Sequence, residues 1–469
     1  MRGILFMAIL VVAIVAGSVL SGNTTFTNFE NSFLGGDPEV KAATIKIGVY
    51  EPISGAYKQY GKDEAAGIEL AHDLYPTVLG KDVELIYADN RSNMYDADTA
   101  LQELMTQNPS IILGSYGEVL SLVASDYLVG SSTPGITVTS VNPLLTINND
   151  FYFTASFSEA RQGGALAEYA VRGLNKEAFA TVMAFRDDAA SAIIQRFEDG
   201  IINVTNREDA IVGDFIVNSE DADFTGYIEK LIESGADCVL LTLQPQAAQN
   251  FMLQCLEMEY TPQFLGTRDW DTEDFEKFLS SNPDLSVSYP SVQAAAATST
   301  YDVFMKAYYD KYGEDAAEPS GSMAAAFDSY LLAIRAIEDA YQNVVNTDLE
   351  ALKAEVGTDA KGRALVQTYE SAIETGIPQG IHIRDALKEI NGFEGATGVL
   401  SYEGGTEASK NVTILHFFRG EKLDPYVVDW EYSENTEQTL TATATETETD
   451  TEEETETETE EETEETEGE

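Results

Sequence analysis

Residues 45–55 read Ile-Lys-Ile-Gly-Val-Tyr-Glu-Pro-Ile-Ser-Gly. Ile45, Ile47 and Val49 alternate with polar or small residues, the period-two pattern of a strand. Working outward, Gly61 to Tyr75 places Ala65, Ile68, Leu70, Ala71 and Tyr75 mostly at helical spacing. Val83, Leu85 and Tyr87 predict the next strand, and Asp96 a cap for a helix with Ala97, Ala100, Leu101 and Leu104 on one face. Ile111–Leu113 is a short buried strand ending at Gly114. A helix follows to about Leu128, and Pro134-Gly135 breaks the chain before a strand over 136–139. Strand and helix thus repeat three times with short connections, which predicts parallel strands covered by helices on both faces.

The pattern restarts after Phe157. Helices are expected at 162–172, 190–202, 225–234 and 246–258, with strands at 180–185, 210–217 and 237–243 between them. Long helices follow at 299–312 and 320–342, and a β-rich stretch over 398–430 closes the body. Two successive α/β units fit a folded part running from about Thr44 to Tyr432.

The chain carries 81 Asp+Glu against 27 Lys+Arg. Seventeen of the acids lie beyond Tyr432, so 64 remain in the body and it is strongly acidic by itself. A field of that sign repels nucleic acid and anionic headgroups and suits solubility in high salt. Residues 1–21, with Arg2 ahead of an apolar run, read as a signal peptide or an N-terminal anchor, and deliver the body outside the cytoplasm. Residues 22–43 read as a flexible spacer. Residues 433–469, almost entirely Thr and Glu, read as a disordered acidic tail, either solubilising or a Thr-rich stalk. Cys238 and Cys255 read as two separate buried thiols, with a single bridge as the alternative.

Enzyme signatures are missing from the sequence. His72, His382 and His416 are far apart and show no metal-ligand spacing, so structural roles are expected for them. There is no phosphate loop or dinucleotide fingerprint. Gly114-Ser115-Tyr116-Gly117 lacks the glycine two residues before the serine that a nucleophile elbow needs. No catalytic residue, cofactor or metal is expected.

From Ile45 onward the chain resembles the leucine/isoleucine/valine-binding family, the type I periplasmic binding proteins that serve ABC importers. The resemblance rests on Ile47-Gly48…Pro52-Ile53-Ser54-Gly55, Gly61 and Gly67, and Gly80-Lys81 ahead of Asp89. It continues through Gly114, Asn142-Pro143…Leu145-Thr146, Phe153, Ser158 to Gln162, and Asp223-Phe224. Gly235-Ala236-Asp237, Phe304…Tyr308…Tyr312-Gly313, Pro319, Phe327-Asp328 and Phe393 to Gly398 complete it over some 385 residues. It implies an α/β, two-lobed periplasmic-binding-protein type I fold, each lobe a mainly parallel sheet flanked by helices. Three hinge crossings are expected near residues 155, 287 and 397. Lobe 1 would be 44–155 plus 289–396, and lobe 2 156–288 plus 397–432.

The resemblance further implies a non-enzymatic, monomeric, exported substrate-binding protein. It would close on a small polar ligand, amino acid or amide-like, and deliver it to an ABC permease. A ligand-sensing module of the same fold and a surface-layer-associated binding protein are the rival readings. Ligand would lie beyond the carboxyl ends of the strands. In the family, one loop after Gly114 and another spanning Thr139–Val141 hold a ligand carboxylate with hydroxyls and backbone N–H groups, and an acid in lobe 2 holds the ammonium. The positions expected at the site are Tyr60, Ser115, Tyr116, Glu118, Thr139, Ser140, Val141, Gln244, Arg268 and Asp269. Glu118 stands where serine is usual and would repel a ligand carboxylate. Arg268 aligns with the ammonium-binding acid, which a one-residue shift would move to Asp269. Either the polarity of the site is reversed, or Glu118 and Arg268 pair with each other or with solvent.

Overall fold

The computed structural model describes residues 44–185, 187–218, 221, 223–291 and 298–428. The leader, the spacer and the tail lie outside the described residues. The first unit runs β1 (Ile45–Glu51), α1 (Lys58–Leu74), β2 (Thr77–Val78), β3 (Lys81–Asp89), α2 (Met94–Met105), β4 (Ile111–Leu113), α3 (Glu118–Ser131), β5 (Gly135–Thr137) and β6 (Tyr152–Thr154). These strands form one sheet in the order β2-β3-β1-β4-β5-β6, parallel except for the β2–β3 pairing. Ile45, Ile47 and Val49 face one core with Ala65, Ile68 and Ala71 of α1, while Tyr50 faces the other with Leu101 and Leu120. Burial on both faces is what a parallel sheet requires. The α2 cap is Asn93, whose side chain accepts from the Tyr95 N–H, rather than Asp96, which lies in the first turn.

The second unit runs α4 (Glu159–Glu168), β7 (Phe179–Ala184), α5 (Asp188–Thr205), β8 (Ile211–Val217), α6 (Thr225–Ser234), β9 (Cys238–Leu241), α7 (Pro245–Glu257), β10 (Gln263–Leu265), α8 (Glu273–Ser281) and β11 (Ser286–Ser291). Its parallel strands are ordered β11-β10-β9-β7-β8. Cys238 and Cys255 are free, buried thiols that join the two different cores flanking this sheet.

The chain then returns to the first lobe through α9 (Ser299–Tyr312), α10 (Gly321–Asn346), α11 (Leu349–Val356), α12 (Ala360–Thr375) and α13 (Gly380–Lys388). Helices α10 and α13 complete the first core with Phe327, Tyr330, Ala333 and Ile383. At Gly67, α1 meets α10 so closely that an added Cβ would lie 2.1 Å from the Met323 carbonyl oxygen. Last come β12 (Phe393–Gly395), β13 (Gly398–Ser401), β14 (Ser409–Lys410), β15 (Val412–Phe418), β16 (Glu421–Lys422) and β17 (Tyr426–Val428).

The strand pairing bears on two of the expected crossings. β11 pairs with β10 and, antiparallel, with β15 throughout Ser286–Ser291, so the second sheet holds the chain past 287 to residue 291. Leu400, Tyr402 and Ala408 pack in the first core, and the Ala408 N–H donates to Thr154 Oγ1. Over Ser409–Val412, β14 leads into β15, which pairs in the second sheet.

The three histidines sit in structural settings. The ring of His72 meets the Val83 carbonyl through Nε2, and that of His416 lies against Tyr169. His382, at the start of α13, accepts the Gln379 N–H on Nδ1 and so carries its proton on Nε2, toward the Thr368 hydroxyl. Protonating Nδ1 would break that cap. Burial brings the ring's pKa down from 6.5 to about 4, against the opposing charge of Asp385. The unfolded chain therefore takes up a proton below pH 6.5 that the folded chain refuses until about pH 4. The resulting stability is present above pH 6.5 and is lost as pH falls toward 4. Between urea unfolding at pH 7.5 and at pH 4, the parent should lose roughly 2–3 kcal/mol more than His382→Gln. Parallel losses in the two proteins would exclude this.

Candidate functional site

The carboxyl ends of β1, β4 and β5 bring three segments together on the first lobe. β1 ends at Glu51, a fully buried carboxylate. After β4, residues 114–117 lead into α3, where Glu118 is the first helical residue. After β5, the chain passes through Thr139, Ser140 and Val141.

Each expected residue has a defined place. Tyr60, on the first turn of α1, stacks on Tyr116 with ring centroids 4.5 Å apart, and Tyr57 tilts against the same ring at 5.9 Å. Ser115 is fully buried, accepting from Asn90 Nδ2 and donating to the Tyr116 carbonyl, so it braces its own loop. The Tyr116 N–H donates to Glu51 Oε2 at 2.9 Å. Thr139 donates its hydroxyl to Glu64 Oε1 at 2.6 Å. Val141 is buried, as is Ser140, whose hydroxyl has no partner in the structure. Glu118 accepts the N–H groups of Val141 at 3.3 Å and Asn142 at 3.0 Å.

On the second lobe, the Gly266 segment after β10 turns into a short 3-10 helix, Arg268–Trp270. Trp270 anchors this turn: it is fully buried and its indole N–H donates to the Leu243 carbonyl. The Arg268 N–H donates to Gln162 Oε1, and Asp269 accepts from Gln244 Nε2 at 3.0 Å. Arg268 reaches the opposite lobe, with Nη2 4.0 Å from Glu118 Oε1. So the two charges singled out in the sequence do face each other, as in the pairing alternative, and Glu118 holds the 141–142 amides as well. The ion pair is partly exposed on the glutamate side, so its direct contribution to stability is about 1 kcal/mol or less.

The sequence reading missed Glu51 and Glu64. Both are fully buried, and each carboxyl acts directly on the other's protonation. Burial first, and for Glu51 the charge of Glu64, hold both protonation equilibria above the usual carboxylate range. A signal for Glu64 was present: Gly61, Glu64, Ala65 and Ile68 share the buried stripe of α1.

Loops at the carboxyl ends of the two α/β sheets thus meet through Arg268 and Glu118. The chain belongs to the periplasmic binding protein family, whose model matches residues 44–401. Among solved structures it is similar to a leucine binding protein from Thermotoga maritima MSB8, with 21% identity over 82% of this chain and 99% of that one, and a TM-score of 0.60. It is likewise similar to a branched-chain amino acid transporter substrate binding protein from Streptococcus pneumoniae in complex with isoleucine, with 22% identity over 82% and 99% and a TM-score of 0.61. A solute binding protein of an ABC transporter from Rhodopseudomonas palustris HaA2, in complex with p-hydroxybenzoic acid, matches at 17% identity over 82% and 97%, with a TM-score of 0.59. Sequence comparison with curated proteins gives no match.

Proposed function

We propose that this chain is the extracytoplasmic substrate-binding protein of an ABC importer, which captures a small polar solute by closure of its two lobes and presents it to a membrane permease. The observation that carries this reading is the cross-lobe contact of Arg268 with Glu118. It sets loops from the carboxyl ends of both sheets within reach of one small molecule. Contacts made by both lobes at once exist only in the closed form, so a ligand shifts the population toward it.

The similar structures hold an amino acid in one case and an aromatic acid in another, so family membership leaves the solute class open. Export follows from the same reading, with residues 1–21 as its signal or anchor. Among the described residues no helix is long and apolar enough to cross a membrane.

A thermal-shift screen of amino acids, amides, polyamines and small carboxylates tests the reading. A true ligand at a hundred times its dissociation constant should add about 2.7 kcal/mol of stability. The same solute should reduce the radius of gyration in small-angle scattering. A body that neither compacts nor gains stability with any solute is not a closing binding protein.

A further inference from the structure

The first lobe carries carboxyl groups in two different settings. Glu118 is seated: its oxygens take the converging N–H groups of Val141 and Asn142, a pair of donors suited to any carboxylate. The chain's own side chain thus fills the place where the first lobe could grip the carboxylate of a solute. Glu51 and Glu64 lie one layer deeper, behind Tyr116 and Thr139, and each has one oxygen satisfied from those loops. Their other oxygens, Glu51 Oε1 and Glu64 Oε2, are buried and receive no hydrogen bond from any further group among the described residues. Two buried carboxyls that act on each other in this way cannot both be ionised without a positive partner, so they hold a proton between them.

The charges around the pair are unbalanced. Asp63 from α1 disfavours ionisation of Glu64, while Arg268, reaching across from the second lobe, favours it. Tyr50, Tyr116 and Tyr152 surround the pair as neutral phenols, kept so by burial and by the carboxyls themselves. Asp269 adds a further negative charge beside Tyr116. Among the described residues named here, the Arg268 guanidinium stands against five carboxyl groups: Glu51, Glu64, Glu118, Asp63 and Asp269. Tyr116, which lies beside Glu64 and Asp269, stacks on Tyr60, and the ring quadrupoles of this pair favour a cation near them.

We propose that the cleft is built for a cationic solute that brings no carboxylate to the first lobe. Glu118 has already taken the anion seat, and the Glu51–Glu64 pair behind Tyr116 and Thr139 supplies the charge that receives the cation. This rests on the reading of the chain as a closing binding protein and narrows it to a solute class. The proton balance is explicit. The cation replaces the shared proton as the positive partner, both carboxyls end ionised, and one proton leaves to the buffer. Binding should therefore tighten as pH rises, because proton and cation compete for the same pair.

Calorimetry on the full exported body separates the possibilities, with putrescine and choline as cations, leucine as a zwitterion and benzoate as an anion. Titration in two buffers of different ionisation enthalpy counts the protons released. The expected result is binding of a cation with release of about one proton, and no binding of leucine or benzoate. Glu64→Gln, with Glu51→Gln as the second variant, should weaken the cation by about tenfold or more and abolish the proton release. Circular dichroism and urea unfolding check that both variants are folded. Glu118→Ser should expose the amides and let leucine bind about tenfold more tightly than to the parent.

Leucine or benzoate binding to the parent in preference to the cations would overturn the inference and leave the closing mechanism standing. Cation binding without proton release, or undiminished in both glutamine variants, would also overturn it. Should none of the four bind, the inference falls. The functional reading falls with it only if the wider solute screen also gives no compaction.

Discussion

Replacing Lys410 by methionine should cost about 3–5 kcal/mol, the penalty for leaving a buried charge uncompensated. The charge left behind is Asp328, on α10, which accepts the N–H groups of Ala396 and Thr397 and the Thr397 hydroxyl. That hydroxyl in turn accepts from Lys410 Nζ, which also donates to the Ala155 carbonyl. Aspartate, threonine and lysine thus form a buried relay joining the first passage between the lobes, at Ala155, to the last, at Lys410. Burial lowers the Lys410 pKa to about 8, and the charge of Asp328 is what opposes a further fall. Urea unfolding of Lys410→Met measures the loss. The double variant Lys410→Met with Asp328→Asn should recover part of it, because no charge is then stranded. A single variant within about 0.5 kcal/mol of the parent would show that the relay does not hold the hinge.

Trp270→Ala should be comparably damaging and should reach the site as well as the fold. The indole is wholly buried, stacks on Phe275 at 4.8 Å and lies near Tyr289. Gly266 gives it room, since a Cβ there would stand 2.0 Å from the ring. Truncating a tryptophan of this kind costs about 3–5 kcal/mol. The Leu243 carbonyl would also lose its donor. Because Trp270 closes the turn that carries Arg268 and Asp269, the variant should lose solute affinity even at temperatures where it stays folded. Denaturation and calorimetry on one preparation test both effects. Full affinity in a destabilised but folded variant would mean that the turn does not depend on its anchor.

Most of the fold could be read from the alternation of short apolar runs and helical stripes. Ile45–Val49, Ile111–Leu113 and 238–241 are strands because parallel strands buried on both faces need such runs. Helices α11 and α12 went unread for a physical reason. α11 buries no residue and α12 only Gly362, Val366 and Ala372, so neither shows an apolar stripe. Pairing is not encoded by one strand's sequence: β11 stays in its sheet because β15 returns to bind it. At the site, Glu118 and Arg268 stood out as the wrong charges for the family pattern. Glu51 and Glu64 did not, since one carboxylate among 81 acids looks like any solvated side chain until its burial is known.

The way each lobe is assembled bears on the order in which the chain can acquire its shape. The first core contains both Ile45 and Ala408, and the cores flanking the second sheet wait for Ile414, Leu415 and Phe417. A chain emerging from its amino end therefore completes neither half until almost the whole body has appeared. Until then both nascent sheets expose apolar faces that only later segments can cover. A polypeptide threaded through a membrane pore before it folds would thus meet little premature structure to unravel.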